Sequence, residues 1–386
     1  MAVLSENIDS ATTKNSLKRL PFLNISHTPG KVYSCIGQNF NSNSKDFLEK
    51  RQIWGVPFWS NLPQIHACLA LKYDRLMITI PESDLVVHEL CLGSNIFGGN
   101  ATEAESHLVM DAYKSHGGNF IDTADMYNQW VEGHVGGESE TVIGSWMKSR
   151  GNRADMVIAT KVSKMDRRPG LSAKNIFAAC EESLNRLQTH YIDLYYSHAD
   201  DETVSLEETL GAYAQLIAEG KVRYIAASNF TASRLRESIA YSENNNIPAY
   251  IAVQDLYNLV DRKTYETDLA PAVESLGISN IPFYGIARGF LSGKYRPGIT
   301  EVDSKRAAGA REYATDKGYA ILTAMDEVSA AHNGAPLSAI ALAWLRAQSS
   351  VSVPIASART VPQLEEIVQV IELTSDEVGM LNTLSA

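Results

Sequence analysis

Residues 156–198, MVIATKVSKMDRRPGLSAKNIFAACEESLNRLQTHYIDLYYSH, decide the fold. Apolar runs at Met156–Lys161 and Ile192–Tyr196, rich in β-branched and aromatic residues, predict two strands. An apolar stripe at helical spacing lies between them, formed by Ile176, Phe177, Cys180, Leu184 and Leu187. A strand, a helix and a second strand in this order predict a parallel sheet that is covered by helices.

The same alternation continues on both sides of this unit. Eight strand candidates follow one another along the chain: Glu89–Leu92, Asn119–Asp122, Met156–Lys161, Ile192–Tyr196, Val222–Ala227, Tyr250–Gln254, Ile281–Tyr284 and Val351–Ile355. Helix starts are marked by the capping boxes Thr102–Glu105 and Ser205–Glu208, and Gly220 ends the second of these helices. Eight strand–helix units in about 300 residues predict an α/β fold, a (β/α)8 TIM barrel rather than a doubly wound sheet.

The sequence pattern changes at Met77, where the predicted barrel domain begins. MITIPESDLVVHEL, residues 77–90, predicts an opening β-hairpin around a Pro-Glu-Ser-Asp turn, so we place the barrel at residues 77–386. Residues 1–76 are irregular in pattern, with Asn/Ser clusters and isolated aromatic residues, and we expect a poorly ordered extension. Their few acids suggest an organelle transit peptide as an alternative, but Glu6, Asp9 and the scarcity of arginine argue against it.

Composition limits the classes of partner. The 386 residues carry a formal net charge of −11, divided into +4 on residues 1–76 and −15 on residues 77–386. An acidic chain of this kind disfavours nucleic acid and membrane surfaces and favours a small-molecule substrate. Four cysteines without CxxC spacing and the absence of a long apolar run predict a cytoplasmic protein with reduced thiols. The sequence leaves the oligomeric state open.

Polar side chains stand where consecutive predicted strands end. Asp122, Lys161 and His198 follow or close the second, third and fourth candidates, and Tyr127 lies in the next loop. In a barrel these positions meet at the carboxyl end, where active sites lie. These positions also have ordinary structural interpretations. A lysine after a strand often extends to solvent, and a single histidine at a strand end often packs in the core.

Together these four residues suit the reduction of a carbonyl to an alcohol. A free tyrosine has a pKa of about 10, and we expect the Lys161 ammonium to lower the pKa of Tyr127 so that it can act as a proton donor. Asp122 would pair with the lysine, and His198 would orient a substrate oxygen. No metal ion is needed for this chemistry.

Seven separated motifs resemble the successive signatures of the aldo-keto reductases: GGNFIDTADMY, VIATKVS, YIDLYYSHADD, GKVRYIAASNF, YIAVQDLYN, IARGFLSGKY and ASARTVPQLEE. The likeness is to the bacterial and fungal branch that includes sugar and aldehyde reductases and potassium-channel-β-like members. It implies a catalytic tetrad of Asp122, Tyr127, Lys161 and His198, with tyrosine as the general acid. No GxGxxG motif follows the early strands, which disfavours a Rossmann site.

The resemblance also implies residues that hold a nicotinamide cofactor. Ser228, Asn229 and Gln254 would bind the carboxamide, and Tyr284 would stack on the ring. A turn would wrap the pyrophosphate, formed by Gly289, Leu291, Gly293 and Lys294. The loop after the last strand would meet the adenosine 2′-phosphate and favour NADPH over NADH, through Ser357, Arg359, Gln363 and Glu366. The family often has asparagine where this chain has Ile367.

The substrate is expected to be an aldehyde, a ketone or a sugar, held by apolar loop residues. Phe97 and Trp130 are the main candidates for that wall, with Ile96 and residues near Met165 beside them. One alternative function on the same fold is a regulatory subunit that senses NADP(H) with little turnover. A metal-dependent barrel hydrolase is a second alternative, but of nine histidines only His198 stands at a predicted strand end.

Overall fold

The computed structural model describes residues 77–299, 302 and 307–386. The predicted extension, residues 1–76, therefore lies outside the described residues. The chain enters the barrel through an antiparallel hairpin of β1, Met77–Thr79, and β2, Val86–His88, which confirms the predicted opening turn. The Ile80 amide donates to the Leu85 carbonyl across this turn, at 3.0 Å.

Eight parallel strands form the central sheet. They are β3 Cys91–Gly93, β4 Phe120–Asp122, β5 Val157–Val162, β8 Ile192–Ser197, β9 Val222–Ser228, β10 Tyr250–Gln254, β11 Ser279–Asn280 and β12 Ile355–Ala356. A small hairpin, β6 Lys164–Met165 and β7 Arg168–Pro169, interrupts the alternation after β5. The strand order is β11-β10-β9-β8-β5-β4-β3-β12.

Backbone hydrogen bonds close this sheet on itself. The Asn280 amide donates to the Ser350 carbonyl at 2.7 Å, and the Ser352 amide donates back to Asn280 at 3.0 Å. The Ile355 amide donates to Pro282 at 2.9 Å. The last two strands of the chain thus join the two edges, and the predicted (β/α)8 barrel is confirmed.

The last two strands are shorter than predicted. The seventh ends at Asn280 rather than running over 281–284, and the eighth begins at Ile355 rather than Val351. Pro282 and Pro354 lie within the predicted strands. Because proline has no amide hydrogen, each of them breaks the regular ladder and leaves isolated bridges in its place.

Helices cover the outside of the sheet. They are α1 Glu103–Ser115, α2 Glu138–Arg150, α3 Ala173–Leu187, α4 Leu206–Ala218, α5 Ala232–Asn245, α6 Ala270–Leu276, α7 Ala307–Arg311, α8 Asp316–Ala331, α9 Leu337–Arg346, α10 Val361–Ile367 and α11 Ser375–Ser385. The capping box predicted at Thr102 forms. At α4, Ser205 caps the helix as predicted, but the Glu208 carboxylate instead accepts the amide of Ala173 at 2.8 Å.

Side chains that alternate along the strands build two apolar layers. One cluster lies inside the barrel and includes Phe120, Val157 and Leu194, while their neighbours Ile121, Ile158 and Tyr195 pack outward against the helices. The inner cluster includes Ile80, Leu85 and Val87 of the opening hairpin. The hairpin therefore closes the amino-terminal end of the barrel and leaves the carboxyl end as the mouth. Within the described ranges, no helix is long and apolar enough to cross a membrane.

The contact between α2 and α3 gives a stability test. A Cβ on Gly144 would clash with the carbonyl oxygen of Arg186 and lie 2.8 Å from the carbonyl carbon of Leu187. We expect Gly144→Ala to lower the free energy of unfolding by about 1–3 kcal/mol, because backbone atoms cannot rotate away. The matched control is Gly211→Ala on α4, where a Cβ meets nothing within 4 Å. It should raise stability by about 0.5–1 kcal/mol through helix propensity.

Urea unfolding of both variants measures these changes. Equal effects of the two substitutions would contradict the close packing of α2 against α3.

Candidate active site

The barrel mouth brings the four predicted polar residues together. Asp122 ends β4, Lys161 lies near the end of β5, and His198 follows β8 directly. The Lys161 ammonium donates to Asp122 Oδ2 at 2.6 Å and to the Tyr127 hydroxyl at 3.0 Å. The Tyr127 and His198 rings meet edge to face with centroids 6.1 Å apart. Four residues scattered over 77 positions of sequence thus form one cluster, at strand ends as predicted.

Lys161 is fully buried, and its three donors all have acceptors. Besides Asp122 and Tyr127, the ammonium donates to the carbonyl of Thr123 at 2.7 Å. Burial lowers the pKa of Lys161, and the Asp122 carboxylate opposes this effect. On its other oxygen, Asp122 accepts the Gln254 amide at 2.8 Å. The ammonium is therefore held in one position by the strand ends.

The tyrosine differs from the expectation in one respect. The pKa of Tyr127 is raised well above its usual value, because burial disfavours the phenolate and the Asp122 carboxylate repels it. The expected lowering by Lys161 is wrong for this state of the site: although the ammonium lies at 3.0 Å, burial and Asp122 outweigh it. Tyr127 is consequently protonated at neutral pH, which is the form that a proton donor needs.

His198 is neutral for a related reason. Burial lowers its pKa well below the usual value, and the positive charges of Lys161 and Lys164 lower it further. A neutral imidazole can share a hydrogen bond with a substrate oxygen without adding charge. Its Nδ1 atom is buried and has no hydrogen-bond partner among the described residues.

A cavity of about 230 Å³ opens above this cluster. Predicted site residues in its wall are Asp122, Tyr127, Trp130, His198, Ser228, Asn229, Gln254, Tyr284 and Ser357. Trp130 is 55% exposed, and its ring meets Tyr127 at 6.2 Å between centroids. Asn229 donates from its side chain to the His198 carbonyl and to Ser228, both at 2.9 Å.

A second cavity of about 290 Å³ adjoins the first, since both are lined by Ile286, Arg288 and Ser357. Its wall also holds the predicted residues Gly289, Lys294, Arg359, Gln363 and Glu366. Arg288, Lys294 and Arg359 bring three cationic side chains against one carboxylate. The two adjoining cavities form one extended trough. The excess of positive charge in its second half fits the phosphates of a dinucleotide.

The loop between these cavities is strained. Tyr284, Ala287 and Arg288 have left-handed backbone angles, with φ of 56°, 47° and 56°, and Gly289 follows with 95°. Such angles cost about 1 kcal/mol or more for each residue with a Cβ. Strain of this kind collects at ligand sites, and here it lies where the two cavities join.

Besides Lys161, three predicted residues do not line either cavity. Phe97 is fully buried in the outer core rather than at the substrate wall, because the segment after β3 turns back and forms a bridge from Phe97 to Ala101. Leu291 is also fully buried, and its amide donates to the carbonyl of Ile286. Gly293, with φ of 79°, shapes the turn from outside the cavity wall. Met165, named beside the substrate wall, is buried as well, whereas Ile96 lines the second cavity.

Other lining residues were missed by the sequence reasoning. They include Asn95, Lys164, Phe283, Ile286 and Arg288. Asn95 follows β3 closely, so the rule that sites lie after strand ends could have found it. Lys164 lies on the small hairpin after β5, and Arg288 lies in the strained loop. No period in the sequence marks these two positions.

The alternative of a metal-dependent hydrolase needs a set of metal ligands. Among the described residues, no group of three or more His, Cys, Asp or Glu side chains could hold a metal ion.

Comparison with known proteins shows the family to which this barrel belongs. Residues 89–386 match the Aldo/keto reductase family, so the chain belongs to that family of NAD(P)H-dependent oxidoreductases. The protein tas of Escherichia coli is 31% identical over 334 residues, covering 80% of this chain and 95% of that relative. Norsolorinic acid reductase B of Aspergillus parasiticus is 31% identical over 338 residues, covering 82% and 84%. A potassium-channel-β-like subunit of Schizosaccharomyces pombe is 33% identical over 304 residues, covering 75% and 86%.

Asp125 provides a pH test of the loop that carries Tyr127. It is fully buried, and burial, assisted by the Glu140 carboxylate, raises its pKa to about 7. The folded protein therefore keeps a proton on Asp125 that the unfolded chain releases near pH 4. As a result, the free energy of unfolding falls as the pH rises from about 4 to about 7. We expect Asp125→Asn to be more stable than the unsubstituted protein at pH 8, by an amount on the order of a few kcal/mol.

Denaturation at pH 5 and pH 8 measures this effect, and the gain should shrink at the lower pH. Asp111→Asn is the control with the opposite sign, because the bond to Arg150 lowers the pKa of Asp111. A gain for Asp125→Asn that does not change with pH would contradict a titrating buried carboxyl.

Proposed function

We propose that this protein reduces the carbonyl group of an aldehyde or a ketone to an alcohol with NADPH, and that Tyr127 supplies the proton. The observation that carries the proposal is the contact of a buried ammonium with a protonated phenol at the barrel mouth, 3.0 Å from Nζ to the hydroxyl oxygen. Residues 77–386 form the catalytic domain in this proposal, and the cytoplasmic location stays a prediction.

The reduced nicotinamide supplies the hydride when the cofactor is bound. Ser228 and Asn229 stand in the cavity wall where a carboxamide could find polar partners, and the aromatic side chains of Phe283 and Tyr284 line the same cavity. Gln254 contributes less freely than the resemblance implies, because its amide nitrogen is already donated to Asp122. In this proposal Gln254 both contacts the cofactor and holds the Asp122 carboxylate in position.

The chain's own residues manage the proton. Tyr127 donates its hydroxyl proton to the carbonyl oxygen, which gains negative charge as the hydride arrives at the carbon. The Lys161 ammonium stabilises the charge left on the tyrosine oxygen, and Asp122 keeps the ammonium in place. Neutral His198 orients the substrate oxygen toward the phenol.

Preference for NADPH rests on the far end of the trough. Arg359 lines the second cavity, and in the described part of the chain its guanidinium has no hydrogen bond or ion pair. Gln363 accepts the Arg359 amide at 2.9 Å and fixes the backbone at this point. A guanidinium at this position suits a 2′-phosphate, which NADPH has and NADH lacks.

A regulatory subunit with little turnover remains the alternative, and one relative has a channel-β-like name. The complete contact set of Asp122, Tyr127 and Lys161 favours turnover, because a protein that only senses NADP(H) needs no proton donor. Names of other relatives record reductase activity.

Tyr127→Phe removes only the hydroxyl group. We expect turnover of an aldehyde to fall by about 10²- to 10⁴-fold, because general acid catalysis is lost, while the Kd for NADPH stays within about twofold. Steady-state oxidation of NADPH and fluorescence titration measure the two quantities. Tyr241→Phe on α5, away from the mouth, is the matched control and should behave like the unsubstituted enzyme. Near-normal turnover by Tyr127→Phe would refute the assignment of the proton donor.

Arg359→Ala tests the preference for the cofactor. We expect kcat/KM for NADPH to fall by about 10- to 100-fold, which corresponds to one charge-assisted hydrogen bond, with little change for NADH. Arg236→Ala on the exposed side of α5 is the control. Equal losses with both cofactors would show that Arg359 does not contact the 2′-phosphate.

A further inference from the structure

The small hairpin after β5 puts a lysine into the wall of the first cavity. Lys164 lies on β6, three residues beyond Lys161, and lines the cavity together with Trp130 and His198. Burial and the charge of Lys161 lower the pKa of His198, and the charge of Lys164 lowers it further. The pKa of Lys164 is itself lowered, by burial first and by the charge of Lys161 second. The ammonium thus adds to the positive potential on the substrate side of the site.

Lys164 lacks the partner that nearby cations have. In the described ranges its ammonium makes no hydrogen bond and no ion pair, whereas Arg168 on the same hairpin binds Glu182 at 3.0 Å. The Asp255 carboxylate only partly opposes the lowering of the Lys164 pKa, and the two side chains do not form an ion pair. A half-buried cation without a counter-ion is costly, and an incoming anion would remove that cost.

The hairpin is fixed next to the aromatic wall by one side chain. Gln129 donates its amide to the carbonyl of Lys164 at 3.3 Å and to Asp166 Oδ1 at 3.2 Å, and it accepts the Asp166 amide at 3.1 Å. Trp130 follows Gln129 directly. An exposed indole and an unpaired ammonium are therefore held at neighbouring points of one wall.

Among the described residues, the other cationic side chain in the wall of the first cavity is Arg288, and it lies toward a different region. Arg288 lines both cavities, lies over the Tyr284 ring at 5.2 Å and pairs with Glu312 at 3.5 Å. It faces the join of the trough, where the cofactor phosphates are expected. Lys164 is left as the cation for the substrate itself.

We propose that Lys164 determines substrate specificity by binding an anionic group, and that the substrates are planar or apolar carbonyl compounds that carry a carboxylate. The indole of Trp130 covers the body of the molecule, the carbonyl meets Tyr127 and His198, and the carboxylate meets the Lys164 ammonium. This inference rests on the proposed function, since it names the substrate class for the same site.

The test compares an acid with its own ester: 4-carboxybenzaldehyde and methyl 4-formylbenzoate. The two aldehydes share ring and carbonyl and differ in the negative charge. We expect the unsubstituted enzyme to favour the acid, and Lys164→Met to lower kcat/KM for the acid by about 10-fold, mainly through KM, with the ester little changed. Lys164→Glu should reverse the preference. Lys174→Met, on the exposed face of α3, is the control and should alter neither substrate.

Salt gives an independent measure. Raising ionic strength should reduce kcat/KM for the acid and leave that of the ester unchanged, because salt screens the attraction between ammonium and carboxylate. Equal losses of Lys164→Met with acid and ester would overturn the proposal and assign a purely structural role to the hairpin. No loss with either substrate would also overturn it.

Binding separates this proposal from the proposed function. Calorimetry with 4-(hydroxymethyl)benzoate and its methyl ester needs no turnover, and we expect the acid to bind about 10-fold tighter, an advantage lost in Lys164→Met. Failure to turn over either aldehyde would refute the proposed function. Binding of the two alcohols would still test whether Lys164 recognises the carboxylate. Equal binding of acid and ester would refute the role of Lys164 even if both aldehydes are reduced.

Discussion

The buried ion pair between Lys161 and Asp122 is the constraint on which the barrel mouth depends. Its atoms lie 2.6 Å apart, and both side chains are almost fully buried. A buried charge without its partner costs about 3–5 kcal/mol, so neither residue can leave this position cheaply. The Thr123 carbonyl accepts a further hydrogen bond from Lys161 at 2.7 Å, and the Gln254 amide donates one to Asp122 at 2.8 Å. Since these residues come from β4, β5 and β10, the pair ties three strands together at the end where the cavity opens.

The chemistry of the site follows from this fixed charge. One donor of the Lys161 ammonium points at the Tyr127 hydroxyl, and the Asp122 carboxylate, with burial, keeps the pKa of that phenol high. The same positive charge and burial keep His198 neutral. The mouth thus combines a protonated phenol, an ammonium in contact with its oxygen, and an uncharged imidazole. This combination suits the proposed reduction of a carbonyl near neutral pH.

Much of this arrangement could be predicted from the sequence, because strands end where a parallel barrel must place its site. The alternation of strand and helix gave the fold, and the strand-end rule found Asp122, Lys161 and His198. The direction of loop side chains could not be predicted. Phe97 lies in the core because the segment after β3 turns back on itself, and Lys164 lines the cavity on a hairpin that is bound by the distant Gln129. No local period in the sequence records either arrangement. The pKa of Tyr127 was also predicted in the wrong direction, since burial depends on the whole mouth.

The central claim is that Tyr127 and Lys161 act as one unit. The measurement that tests it most directly is a double-mutant cycle on kcat/KM for an aldehyde, with Tyr127→Phe, Lys161→Met and both together, each checked for binding of NADPH. If the ammonium works through the phenol, the double variant should be no worse than the poorer single variant. Losses that multiply, so that the double variant falls by the product of the two single effects, would contradict this account.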